Sequence, residues 1–190
     1  PDHRRLTVHM PDLDFIFNPK SVAIVGVSSV TDSLTNRNFL KPLLECGYQG
    51  KIYPVNPRLT EIMGLKVYPS VLEIPEPVDS VVSGLPASLV PQLMRECAEA
   101  RVKAVTCFSA GFSETGEEEG GNLEWEVAGI ARRGGVRLLG PNCLGVHNPA
   151  IGYTFEAGGA RRRGHIGFLS QSGGNTRELI LAGAPRGISF

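Results

Sequence analysis

The run Ser21-Val22-Ala23-Ile24-Val25-Gly26-Val27-Ser28-Ser29 constrains the fold of this chain more than any other segment. Val22 to Val25 are apolar without alternation. That pattern suits a strand covered on both faces, as in parallel sheets with helices above and below. Gly26 allows a sharp turn at the strand's carboxyl end. Ser28, Ser29, Thr31, Asp32 and Ser33 then offer caps ahead of a helix expected over about 36–46. A strand, a glycine turn and a helix N-terminus together make a receptive place for a phosphate, because unpaired amides and the helix dipole face it.

The elements that follow alternate in the same way. Strands are expected over 51–55, 78–83, 103–108 and 136–139, with helices from Ser88 to about Ala100 and from the Glu117-Glu118-Glu119 run to about Arg133. Strand–helix alternation implies an α/β chain with a Rossmann-like, doubly wound parallel sheet. A ligand of such a sheet sits over the carboxyl ends of its strands. Ser28, Asn56, Pro86, Ser109, Gly111 and Asn142 are therefore expected on one rim.

The dinucleotide fingerprint is incomplete. After Gly26 the second and third glycines of the G-x-G-x-x-G pattern are missing, and the second strand ends at Asn56-Pro57-Arg58 without an acid for a ribose diol. Arg58, with Lys66 further on, suits a phosphorylated ribose such as that of NADP or coenzyme A. Both cations equally suit a solvated surface.

Composition narrows the class. Nineteen basic and nineteen acidic residues among 190 leave no net charge, which argues against nucleic acid as the main partner. No apolar stretch approaches the roughly 20 residues of a membrane span. The cysteines at 46, 97, 107 and 143 form no C-x-x-C pair and have no histidine at metal-ligand spacing. They suit a reducing cytoplasm, with Cys107 acting as a small buried hydrophobe.

A second unit is expected from about residue 149, after an N-terminal extension over 1–14 and a first domain over 15–148. In it, Gly164 to Leu169 reads as a strand, Ser170-Gln171-Ser172-Gly173-Gly174 as a second glycine turn, and 175–182 as a helix. Residues 187–190 read as the start of a further strand. Such a unit cannot close a core on one or two strands, so more chain or another subunit is expected to complete it.

Five segments occur in order: Phe17 to Gly26, Gly50 to Pro57, Ser109 to Gly116, Leu139 to Gly145 and Ser170 to Gly173. Together they resemble the NDP-forming acyl-CoA synthetase family, which is related to the alpha subunit of succinyl-CoA synthetase. The resemblance spans about 15–190 and implies a CoA-binding Rossmann-like domain followed by the start of a flavodoxin-like domain. It implies that Gly26, Val27, Ser28, Ser29 and the loop to Arg37 hold the CoA diphosphate. Asn56, Pro57 and Arg58 would lie near the adenosine end, with Pro86 and Ala87 bordering the nucleotide. Ser109, Ala110 and Gly111 would border the pantetheine, and Asn142 would lie near the thiol.

Ser170, Ser172 and Gly173 match the family's phosphate-binding helix N-terminus. The sequence departs from that family's usual continuation at Gly174-Asn175-Thr176. The family joins a carboxylic acid, CoA and a nucleoside triphosphate, with ATP/ADP and Mg bound in the complete enzyme. It works through an acyl phosphate and a phosphohistidine, and it needs an ATP-grasp domain or subunit; an oligomer is expected. The family's phosphorylated histidine lies beyond residue 190, and neither His147 nor His165 matches its motif, so this stretch alone is expected to be silent. Two other functions fit parts of the pattern. One is a CoA- or acyl-CoA-sensing module, for example of a lysine acetyltransferase. The other is an NAD(H)-binding redox sensor, against which the missing glycines and Asn56-Pro57 weigh.

Overall fold

A computed structural model describes residues 12–28 and 39–190 of the chain. Strand β1, Ser21–Val25, is buried along its whole length. It pairs in parallel with β2, Lys51–Val55, on one side and with β5, Ser80–Ser83, on the other. The sheet continues through β6, Ala104–Cys107, to β7, Arg137–Leu139, in the order β2-β1-β5-β6-β7. Between β2 and β5 a small antiparallel ribbon is formed by β3, Glu61–Ile62, and β4, Leu65–Lys66. The order reverses direction between β1 and β5, so the topological switch point lies at the ends of those two strands.

Residues of β1 alternate between two apolar layers. Ala23 and Val25 join Val81, Val105 and Cys107 in one layer, while Val22 and Ile24 join Val82 in the other. The first layer is covered by α3, Val90–Glu99, and α4, Glu118–Gly134. Val90, Leu93, Met94 and Cys97 of α3 are all buried, the i, i+3, i+4, i+7 stripe of a helix with one apolar face. Val127, Ile130 and Ala131 do the same for α4. Glu118 and Glu119 occupy the first turn of α4, where acidic side chains favour the positive end of the helix dipole.

The second layer is covered by α2, Leu40–Glu45, through Phe39, Leu40 and Leu43. The amides of Gly47 and Tyr48 close α2 on the carbonyls of Leu44 and Leu43. Tyr153, Phe155 and Ile180, all from beyond residue 149, complete this layer. The buried hydroxyl of Tyr153 reaches Ser80 Oγ at 3.1 Å, which satisfies both polar groups beneath the sheet. Ile180 belongs to α5, Gly173–Gly183, which Arg177 ties to Glu156 with an Nε–Oε2 separation of 2.6 Å.

Three local expectations change. The run 164–169 forms no strand, and neither does 187–190. The Gly164 amide donates to Phe190 O at 3.1 Å, but the pairing goes no further into a ladder, and Ile166, Phe168 and Leu169 stay exposed, with Leu169 at 93%. An apolar run becomes a strand only where a neighbour accepts its backbone. Ser88 does not cap α3; it lies in a 3-10 turn, Ala87–Leu89, and α3 begins at Val90-Pro91. Pro91 has no amide to cap, so the helix loses little without a side-chain acceptor there. A short helix not evident in the sequence, α1, covers Asp14–Phe17. The expected start of the second helix near 36 lies outside the described residues.

At the amino ends of the strands, Asp79 locks three elements together. Its carboxylate accepts the Lys20 amide at 2.7 Å and the Lys103 ammonium at 2.8 Å, and its own amide donates to Ser21 Oγ at 2.9 Å. Burial would raise this carboxyl, but the hydrogen bonds from Lys103 and Lys20 and their charges outweigh it, so its pKa falls below the ordinary value. A lowered carboxylate stabilises the fold above its unfolded pKa, and that contribution is lost as pH falls through the folded value. Asp79→Asn is expected to cost about 1–3 kcal/mol in urea unfolding at neutral pH. The gap from wild type should close in acid; a gap independent of pH would refute this account.

Candidate functional site

The five parallel strands deliver their carboxyl ends to one side, and the loops there are tied together by backbone bonds. The Gly26 amide donates to Val55 O at 3.1 Å, Gly84 to Val25 O at 2.9 Å and Phe108 to Ser83 O at 3.1 Å. Side chains add to this. Asn56 Nδ2 donates to Val27 O at 2.7 Å, and Ser109 Oγ donates to Leu85 O. The amide of Asn142 donates to Ser109 O at 2.9 Å. Loops after β1, β2, β5, β6 and β7 therefore share one rim, as the strand-end argument expects.

Gly26 sits at the switch point with φ +87°, a conformation that L side chains rarely adopt. A Cβ there would lie 3.2 Å from the Gly84 carbonyl carbon, 3.2 Å from Leu85 Cδ2 and 3.3 Å from the Leu85 amide nitrogen. The chain approaches itself this closely only because the side chain is a hydrogen. The result is a narrow cradle between the β1 and β5 turns, walled by the Gly84 and Leu85 backbone and the Leu85 side chain. Val27 beside it is buried in the second layer and Ser28 is half-buried. Ser29 and Arg37 lie outside the described residues.

The adenosine-side candidates gather at the end of β2. Asn56 closes an Asx turn by accepting the Arg58 amide at 2.8 Å, while Pro57 and Arg58 are exposed. Among the described residues the Arg58 side chain has no acidic partner. Pro86 is exposed and Ala87 half-buried on the β5 loop. Ser109 is buried at 7%, and Ala110 and Gly111 are exposed beside it. Asn142 is exposed, with φ +50°.

The second glycine turn also meets this rim. Ser172 caps α5 by accepting the Asn175 amide at 3.2 Å, and Ser170 Oγ accepts the Ser172 amide at 3.0 Å. Gly173 opens the helix, and a Cβ on it would lie 2.7 Å from Leu144 Cδ1. Leu144 belongs to the loop after β7 that carries Asn142. The structure thus brings the expected thiol end and the expected phosphate turn side by side, which their separation in sequence does not show. Sequence reasoning missed Leu85, Leu144 and Glu114. The clue to Glu114 is its spacing three residues after Gly111, the reach-back distance familiar from capping boxes.

Residues 20–149 match the CoA binding domain family. The chain belongs to that family. It is 43% identical over 179 residues to the alpha subunit of acetate–CoA ligase [ADP-forming] II of Pyrococcus furiosus, covering 94% of this chain and 38% of that protein. It is 41% identical over 174 residues to acetate–CoA ligase [ADP-forming] II of Archaeoglobus fulgidus, covering 90% of this chain and 26% of that protein. Its fold matches the dinucleotide forming acetyl-coenzyme A synthetase 1 of Ca. Korarchaeum cryptofilum in complex with phosphate and ADP. There the TM-score is 0.83 and the identity 36%, covering 95% of this chain and 38% of that one. The chain thus spans well under half the length of each of these relatives.

The Gly26 cradle is a space that any Cβ would fill, and the end of β2 carries an exposed arginine rather than an acid. Gly26→Ala is expected to destabilise the fold by about 1–3 kcal/mol through its backbone conformation alone. Calorimetry on the folded variant should show nucleotide binding lost. Binding equal to wild type would show that the cradle is not used.

Proposed function

We propose that this chain is the CoA-binding part of an ADP-forming acyl-CoA synthetase. The larger protein would convert a carboxylic acid, CoA and ATP into acyl-CoA, ADP and phosphate. The family match over 20–149, combined with the cradle at the switch point, carries this reading. CoA brings a thiol nucleophile; the chain's own residues bind and orient it.

In this reading the turn that follows Gly26 faces the diphosphate, where low bulk lets the backbone come close. Asn56 holds the β2 turn against Val27, which keeps Arg58 at the adenosine end for the ribose phosphate. Pro86 and Ala87 border the nucleotide, and Ser109 to Gly111 border the pantetheine. Asn142 lies near the thiol end, next to Leu144 and hence next to Gly173. Ser170, Ser172 and Gly173 form the phosphate turn. Gly173 supplies the first helix amide that no described side chain takes, whereas the Ser172 amide is held by Ser170. Seating a thiol beside a phosphate turn is what transfer of an acyl group from an acyl phosphate requires.

We place a domain boundary after residue 148. Tyr153 and Phe155 then seat the following, flavodoxin-like unit on the second layer. The acid pocket, the ATP-grasp part with its Mg and nucleotide, and the phosphorylated histidine would be supplied outside these 190 residues, in an oligomeric cytoplasmic enzyme. Among the described residues no helix is long and apolar enough to cross a membrane.

Calorimetry with CoA and with NADH tests the reading: CoA should bind and NADH should bind more weakly or not at all. Tighter NADH binding would overturn it. Arg58→Ala should weaken CoA more than dephospho-CoA, by about 1–3 kcal/mol for a lost charge-assisted contact. Equal losses would return Arg58 to the solvated surface.

A further inference from the structure

The loop after β6 contains a carboxylate that neither the family match nor the strand-end argument assigns. Glu114 Oε1 accepts the Gly111 amide at 2.7 Å, and its Oε2 accepts the Phe112 amide at 3.1 Å. Glu124, from α4, accepts the next amide, that of Ser113, at 3.1 Å. Three consecutive amides, Gly111 to Ser113, therefore turn toward protein carboxylates. Gly111, at φ +106°, allows two neighbouring amides to converge on one carboxylate. Phe112 is fully buried beneath the loop and anchors it, with its carbonyl taken by the Thr115 amide at 3.1 Å.

A trans peptide has its N–H and C=O on opposite sides. With the Gly111 and Phe112 amides turned to Glu114, the carbonyls of Ala110 and Gly111 project away from that carboxylate. Neither carbonyl accepts a hydrogen bond from any described residue, and both residues are exposed at the rim. Two consecutive amides of this kind would otherwise form a concave anion site. Here Glu114 fills that site, and what remains for a ligand is a pair of acceptors.

We propose that Glu114 is a positioning residue that sets ligand specificity at this loop. Its carboxylate fixes the peptide planes of 110–112, so that the Ala110 and Gly111 carbonyls are offered to the N–H donors of an amide-bearing arm. The loop thereby refuses a second anion. This division rests on the CoA-binding reading above. It separates the rim by chemistry: the turn after Gly26 for the diphosphate, acceptors at 110–111 for the two secondary amides of pantetheine. Glu114 itself need not touch the ligand.

The test compares CoA with 3′-phosphoadenosine 5′-diphosphate, which is CoA without its arm. By calorimetry, Glu114→Ala should weaken CoA about tenfold or more and leave the arm-less ligand unchanged, the size expected for losing hydrogen bonds that a positioned loop makes. Glu114→Gln keeps one acceptor oxygen and should fall between wild type and Glu114→Ala. A loss shared equally by both ligands, or no loss of CoA affinity, overturns the proposal. In wild-type protein the carbonyl carbon resonances of Ala110 and Gly111 should shift with CoA but not with the arm-less ligand. That measurement decides the matter if Glu114→Ala does not fold, and unmoved resonances on saturation with CoA overturn the proposal. Wild-type protein that binds neither ligand defeats the CoA-binding reading itself, a result distinct from a change confined to the variant.

Discussion

The parallel pairing of β1 with both β2 and β5 is the constraint on which the rest of this structure depends. A strand hydrogen-bonded on both edges and buried on both faces has no freedom to shift. Because its neighbours run the same way, all of their carboxyl ends arrive together. Every described candidate from Gly26 to Asn142 stands on a turn that leaves one of these ends. The switch in strand order lies between β1 and β5, where ligands of such sheets bind, and Gly26 lets the two turns close to backbone contact.

Two ends of the sheet do different work. At the amino ends, Asp79 gathers the Lys20 amide and the Lys103 ammonium into a stabilising knot far from the rim. At the carboxyl ends, the described loops are joined mainly by main-chain groups. That contrast suits a ligand that is anionic at one end and carries amides along its arm. Main-chain amides and carbonyls can be set at fixed angles without ordering long side chains, so their entropy is already spent in folding.

Much of this was legible from local pattern. The unalternating Val22 to Val25 run implied a strand covered twice, and the stretch after Ser88 implied a helix to about Ala100. The absence of an acid after Val55 pointed away from NAD before any relative was considered. The failures are equally local. Ile166, Phe168 and Leu169 read as strand residues because apolar runs carry no record of whether a neighbouring strand exists. Ser88 read as a cap because a serine before an apolar run usually is one, but Pro91 removed the need.

By itself the sequence determined where the five strands of the parallel sheet and the helices α3 and α4 run, which glycine turns the chain after β1, and which residue types stand at the strand ends. Those properties follow from side-chain periodicity and backbone preference, which act over a few residues. Only the tertiary structure decided that β1 lies beside β5, that Leu85 walls the Gly26 turn, that Leu144 meets Gly173, and that Glu114 takes two amides of its own loop. Such contacts arise from strand order and from the direction of individual peptide planes. Neither leaves a periodic trace in the sequence, because a carbonyl turned toward a ligand and one turned away belong to the same amino acid.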